Sequence, residues 1–255
     1  MRRLAILICM ELVAAALAAG AARADQRDDF LAGRSHDCAY CDLSGANFKR
    51  HDLSGVNLTG ANLKMTNFHD AKLAGARLAG ADLSGANLNK ADLSRADLSG
   101  AVLHEAMLYA ADLDGAELAK ADLTDAMMGT ARLTRADLTG ATLRNVDLRK
   151  ARMAEARLVG ADFTGAALDF AFLRGAQLDG AKLNGARLIE AELDGTELAG
   201  ADLTGADASG ADLRSADLAR ANLAGASFRK ADMYETKLDD ALFDQTIMPD
   251  GIVRP

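Results

Sequence analysis

From Leu43 onward every fifth residue is a large apolar side chain, and the register never slips. Centres fall at Leu43, Phe48, Leu53, Leu58 and on to Phe243, 41 units without an insertion. The centre is Leu, Phe or Met in every unit except the one at Ala208, and two residues before it stands Ala in 34 units. Cys41, His51, Val56, Thr66, Val146, Thr196 and Thr236 are the exceptions. A five-residue step turns about 140° on an α-helix, so the large residues would spiral around it and define no buried stripe. The small and large apolar residues lie two apart, which puts both on one face of an extended segment. The remaining spacing of three breaks that alternation and requires a corner. An extended piece this short cannot satisfy its own backbone, so the chain must wind and hydrogen-bond to the coils before and after it.

The stretch Ala81-Asp82-Leu83-Ser84-Gly85 and its successors through Gly100 have the form A(D/N)LxG. This unit resembles the pentapeptide repeat family, and the resemblance covers residues 38–245. It implies an all-β fold, a right-handed quadrilateral β-helix of about ten coils, each of four units or 20 residues. The sequence supports the 20-residue coil independently. Leu58, Leu78, Leu98 and every twentieth residue to Leu238 form an unbroken leucine column. Phe48 stands over Phe68, and the small centre Ala208 lies next to Phe228 in the same column.

Around the repeats, residues 25–40 are expected to cap one end, 41–245 to form the β-helix and 246–255 to cap the other end. Both prolines, Pro249 and Pro255, fall after the last unit. Residues 1–24 read as a signal peptide. Arg2 and Arg3 precede an apolar run from Leu4 to Ala18, interrupted by Glu11, and Ala22-Arg23-Ala24 is a small-x-small cleavage site. A run this short falls below the length of a spanning helix. The expected location is therefore periplasmic or secreted, with no stable membrane insertion once the signal is removed. The chain starting at Asp25 has 26 basic and 36 acidic residues, net −10, which repels nucleic acid.

Motifs for chemistry are sparse. Cys38-Ala39-Tyr40-Cys41 is a CxxC in which Cys38 is in phase with the centres and Cys41 with the alanines. It reads as buried core or a local disulfide in an exported chain. His36 and His51 are also in alanine phase, but the spacing matches no zinc motif. Acidic columns such as Glu192, Asp212, Asp232 and Asp97, Glu117, Asp137 read as turn-bonding carboxylates rather than a calcium site. No nucleophile–base pair or phosphate loop is present, so the sequence calls for no catalytic residue, metal or cofactor.

Outward positions that break the polar rule are more informative. They are Val102, Met107, Tyr109, Met127, Phe170, Phe172 and Ile189, and Met107, Tyr109, Met127, Phe170 and Ile189 map to the Phe48 face. Beside them runs a basic belt of Arg132, Arg135, Arg144, Arg149, Lys150, Arg152 and Arg157, so residues 132–157 carry net +4. Residues 191–217 carry net −6. Apolar exposure next to a charge reversal marks a partner surface of Met107, Tyr109, Met127, Phe170, Phe172 and Ile189 with Arg149, Lys150 and Arg152. The expected function is an exported, non-catalytic scaffold that binds a protein of the cell envelope. The resemblance carries an alternative, since the best understood members mimic DNA and bind DNA gyrase, which applies if the chain is cytoplasmic.

Overall fold

The computed structural model describes residues 25–255. The expected signal segment, residues 1–24, lies outside the described residues. A helical stretch, α1 (residues 25–31), leads into the repeats, and the chain closes on a hairpin of β1 (Thr246–Ile247) and β2 (Val253–Arg254).

Between them the chain is a parallel β-helix. Each bridge joins a residue to the one twenty positions later, beginning with Asp37 to Asn57 and ending with Ser227 to Ile247. The coil therefore begins at Asp37.

One unit shows why the sequence repeats as it does, because all five of its N–H groups have partners. Asp82 N–H donates to Ala61 O of the preceding coil at 3.0 Å. Leu83 and Gly85 N–H donate to Val102 O and His104 O of the next coil at 2.7 and 2.9 Å. Ala86 N–H closes the turn on Leu83 O at 2.9 Å. The fifth donor, Ser84 N–H, has no backbone carbonyl within reach and is taken by the Asp82 side chain, Oδ1, at 3.1 Å. That is the reason for Asp or Asn before the centre: the carboxylate caps the turn that its own unit makes.

The turn also fixes a left-handed residue. From Tyr40 to Gln245 every residue at a multiple of five has φ between 53° and 71°. Glycine adopts this conformation freely, yet 23 of these positions carry a side chain. The coil bonds on both sides over-determine the backbone, so the strain is spread along the ladder.

The core is two residues wide at each corner. Centres and alanines from Leu58 to Phe228 are buried, and Phe48 stacks on Phe68 with ring centroids 5.5 Å apart. Where Thr replaces Ala its hydroxyl must be satisfied inside. Thr66 Oγ1 donates to Leu43 O at 3.0 Å and Thr196 Oγ1 to Leu193 O at 2.8 Å. His36 and His51, in phase with the alanines, are instead exposed. An imidazole is too large for an alanine slot, and His51 packs edge-on against Phe48 at 5.9 Å from outside.

Candidate protein-interaction surface

With the fold set by inward residues, the outward ones are free to carry a site. Position 47 and its equivalents twenty apart bring Met107 directly onto Met127. One column over, Tyr109, Gly129, Arg149, Asp169 and Ile189 follow one another, then Lys150 and Phe170, then Arg152 and Phe172. Tyr109, Met127, Phe170 and Phe172 are exposed large hydrophobics, whereas Met107 and Ile189 are half-buried, as is Val102. Arg149, Lys150 and Arg152 are exposed.

Gly129 lies at the centre of this surface, and its meaning was missed in the sequence. At the other units the residue after the centre carries a side chain, and glycine, when present, takes the left-handed position. In Met128-Gly129-Thr130 the order is shifted: Thr130 takes φ 57° and Gly129 does not have positive φ. This glycine therefore serves no turn. A Cβ in its place would stand 3.4 Å from Tyr109 Cδ2, ordinary van der Waals contact, so the ring lies beside the glycine without requiring it. Around them lies a notch of about 480 Å³ lined by Tyr109, Gly129, Thr130, Asp147, Arg149, Lys150 and Phe170.

Tyr109 also depends on an unusual cap. Its own unit has Met107 where Asp or Asn would stand, so Tyr109 N–H is taken by Asn89 Oδ1 of the preceding coil at 2.8 Å. Thr134 and Ala199 N–H are capped in the same way by Asp114 and Asp179. Where the residue before the centre does not cap its own turn, as with Met107, Arg132 and Glu197, the preceding coil lends its carboxylate or amide.

Charge at the notch is partly neutralised. Arg149 holds Asp147 in a two-bond fork, Nε to Oδ1 at 2.8 Å and Nη2 to Oδ2 at 2.7 Å. The fork's hydrogen bond, then its charge, raise the Arg149 pKa above its ordinary value. For Asp147 the same hydrogen bond outweighs burial and lowers the pKa. Behind it Asp169 is buried, with Arg187 Nη2 at 3.0 Å from Oδ2. The contact lacks hydrogen-bond alignment, so charge alone holds that pair. Lys150 lies over the Phe170 ring at 5.9 Å.

Elsewhere Cys38 and Cys41 are joined in a disulfide with Cα atoms 5.3 Å apart. Among the described residues no group of three or more His, Cys, Asp or Glu is placed to hold a metal ion, and no Ser, Thr or Cys is hydrogen-bonded to a His. No helix among them is long and apolar enough to cross a membrane. The surface offers rings, methionines and cations for contact.

The repeat geometry agrees with comparisons to known proteins. A family model described as pentapeptide repeats matches in eight copies, over stretches running from residue 37 to 245. Among solved structures the chain is similar to HetL, a pentapeptide repeat protein involved in heterocyst differentiation regulation in Nostoc sp. strain PCC 7120. Identity is 36% over 86% of this chain and 91% of that one, with a TM-score of 0.42. It is also similar to QnrB1, a plasmid-mediated fluoroquinolone resistance protein, at 22% identity over 77% and 88% of the two chains and a TM-score of 0.40. A pentapeptide repeat protein of the Arabidopsis thaliana thylakoid lumen matches at 32% identity over 38% and 60%, with a TM-score of 0.28. Among curated proteins none matches the chain. The match to repeat after repeat, on a backbone whose bridges recur every twenty residues, shows that this chain belongs to the pentapeptide repeat family.

Proposed function

We propose that the protein is an exported, non-catalytic scaffold: a right-handed β-helix of quadrilateral section and about ten coils, which docks a protein of the cell envelope on its mid-chain patch. The observation that carries this reading is the clustering of Tyr109, Met127, Phe170 and Phe172 as exposed apolar side chains in the middle of the stack, whereas the other exposed large apolar residues, such as Tyr40, Met65, Tyr234 and Leu242, lie towards its two ends. Exposed rings beside Lys150 and Arg152 have the composition of interface anchors. Residues 1–24 act as the signal, and the acidic mature chain stays off nucleic acid and out of the bilayer.

Two experiments test it. Sequencing the N-terminus of the protein recovered from fractionated cells is expected to give Asp25 in the envelope fraction; a chain starting at Met1 in the cytoplasm defeats export. A photo-crosslinking residue at Met127 is expected to join the protein to a distinct envelope protein, and Tyr109→Asp is expected to abolish that adduct. The acidic segment 191–217 favours a second reading, protection of DNA gyrase by a DNA-like surface, for a cytoplasmic chain. Unchanged gyrase supercoiling in the presence of the protein would exclude it.

A further inference from the structure

Three successive coils carry a pattern along one strip that the fold does not require. Lys150-Ala151-Arg152 is followed twenty residues later by Phe170-Ala171-Phe172, and twenty after that by Glu190-Ala191-Glu192. Each alanine is buried, so the residues on either side of it both point outward. Bridges join Arg152 to Phe172 and Phe172 to Glu192, and Lys150 N–H and Phe170 N–H donate to Asp169 O and Ile189 O, so the triplets are stacked in register. All six outward residues are exposed. The strip therefore reads two cations, two rings, two anions.

The charges of this strip are unspent. Ion pairs are common on this surface, yet among the described residues none involves Lys150, Arg152, Glu190 or Glu192. Geometry explains why they do not pair with one another: two coils separate them, about 10 Å along the axis, with the rings between. Lys150 rests over Phe170 and the Glu190 side chain lies along Gly210, 3.3 Å from the position of a Cβ there.

We infer that the strip is a self-complementary interface for a second copy of this chain, packed side by side and antiparallel about a two-fold axis at the Phe170–Phe172 coil. That axis reverses the order of the coils and leaves the two columns facing their equivalents. Phe170 and Phe172 then meet their own copies at the centre. Lys150 faces Glu190 and Arg152 faces Glu192 across the axis, and each pairing occurs twice, as an isologous contact demands. One step further out, Arg132 faces Asp212. A parallel arrangement in the same register sets cations on cations and anions on anions, so the pattern also selects the direction. The inference names the occupant of one edge of the proposed docking patch and rests on that patch being an interaction surface. It occupies the Lys150–Phe170 side of the notch and leaves Tyr109 and Met127 for a different protein.

Sedimentation velocity of the purified protein over about 5–200 µM reads the outcome directly, a range suited to a contact narrower than the usual ~800 Å² per partner. A concentration-dependent dimer that weakens with added salt is expected. Lys150→Glu with Arg152→Glu makes the strip wholly acidic, and Glu190→Lys with Glu192→Arg makes it wholly basic. Each double variant alone is expected to dimerise at least about 100-fold more weakly. Mixed in equal amounts, the two are expected to recover a heterodimer of wild-type strength, which also shows that both are folded. A wild-type protein monomeric throughout the range overturns the inference. So does either variant dimerising as wild type does, or a mixture that stays monomeric. None of these results touches the Met127 crosslink, so loss of the dimer and loss of the docking function are separable.

Discussion

The two ends of the coil stack face the same problem and solve it unequally. At the start, α1 lies across the first coil. Phe30 is buried, its ring edge-on to Phe48 at 5.8 Å, and Cys38, Leu43, Phe48 and Leu53 beneath are all buried. At the other end only the β1–β2 hairpin folds over. Met233, Leu238 and Phe243 stay half-buried, and Leu242, Ile252 and Tyr234 are more than 60% exposed. Arg254 supplies a partial lid, its guanidinium 3.8 Å from the Phe243 ring centroid. Among the described residues the N–H groups of Met233, Leu238 and Phe243 find no backbone carbonyl, whereas the same groups one coil earlier all do. A helix covers a core broadly; a two-residue strand pair covers one corner of it. The repeat makes every coil alike except for its neighbours, so stability along the stack is a matter of how many neighbours a coil has.

One leucine column gives the largest test of that difference. Leu138→Ala, in the middle, is expected to cost about 3 kcal/mol, and Leu238→Ala, in the last coil, about 1 kcal/mol. Urea unfolding of both variants checks this, and equal costs would mean that the last coil is as well packed as the middle. Next comes the helix lid. Phe30→Ala is expected to cost about 2 kcal/mol and to raise amide exchange at Leu43 and Phe48 while leaving Leu138 protected. Exchange rising uniformly would show the stack unfolding as one unit instead.

The disulfide is expected to matter less. Cys38→Ala with Cys41→Ala restores the small apolar residue at one position and is expected to lower stability by about 1–2 kcal/mol, because the closed loop is so short. A larger loss in thermal unfolding would show that the bridge organises the first coil.

The smallest expected effect concerns pH. Burial pushes the Asp82 carboxyl up, but hydrogen bonds from Ser84 and Lys64 more than offset it and hold it below the usual range. Asp202 is lowered in the same sense, burial being outweighed by Thr204 and Asn184. A depressed carboxylate contributes stability above its unfolded pKa of about 3.9, and that contribution is lost as pH falls through the folded value. Stability is therefore expected to be flat from neutral pH to about pH 5 and to decline below it. Asp82→Asn keeps an acceptor for Ser84 N–H and is expected to make the decline slightly shallower. An unchanged acid limb in a pH series of melting curves would assign the effect to other carboxylates.

Inward residues made the repeat β-helix legible in the sequence alone. The five-residue step, the twenty-residue stacking of Phe48 on Phe68 and the leucine column all follow from positions where packing leaves no choice. The surface was legible only in part. Tyr109, Met127, Phe170 and Phe172 stood out because they break a polar rule, but Gly129 did not, although it is the one repeat glycine that directly follows a centre and so is marked by register alone. Asp169 looked like any outward acid, yet it is buried beside the Arg187 guanidinium of the next coil. Glu190 and Glu192 were legible as charges, while their relation to Lys150 and Arg152 emerges only when the sequence is read down columns rather than along the chain.

The twenty-residue bridge spacing also has an evolutionary consequence. Inserting or deleting one whole coil changes length and keeps every column intact, so such an event between residues 40 and 130 would leave the Lys–Phe–Glu strip unaltered. Inserting a single five-residue unit preserves the core equally well, yet it advances everything downstream by a quarter of a coil. Placed between Arg152 and Phe170, it would carry the rings and glutamates to a different side while the protein still folded. Drift in this lineage can therefore destroy a binding surface without any loss of stability, and selection for the surface would be visible as indels counted in twenties.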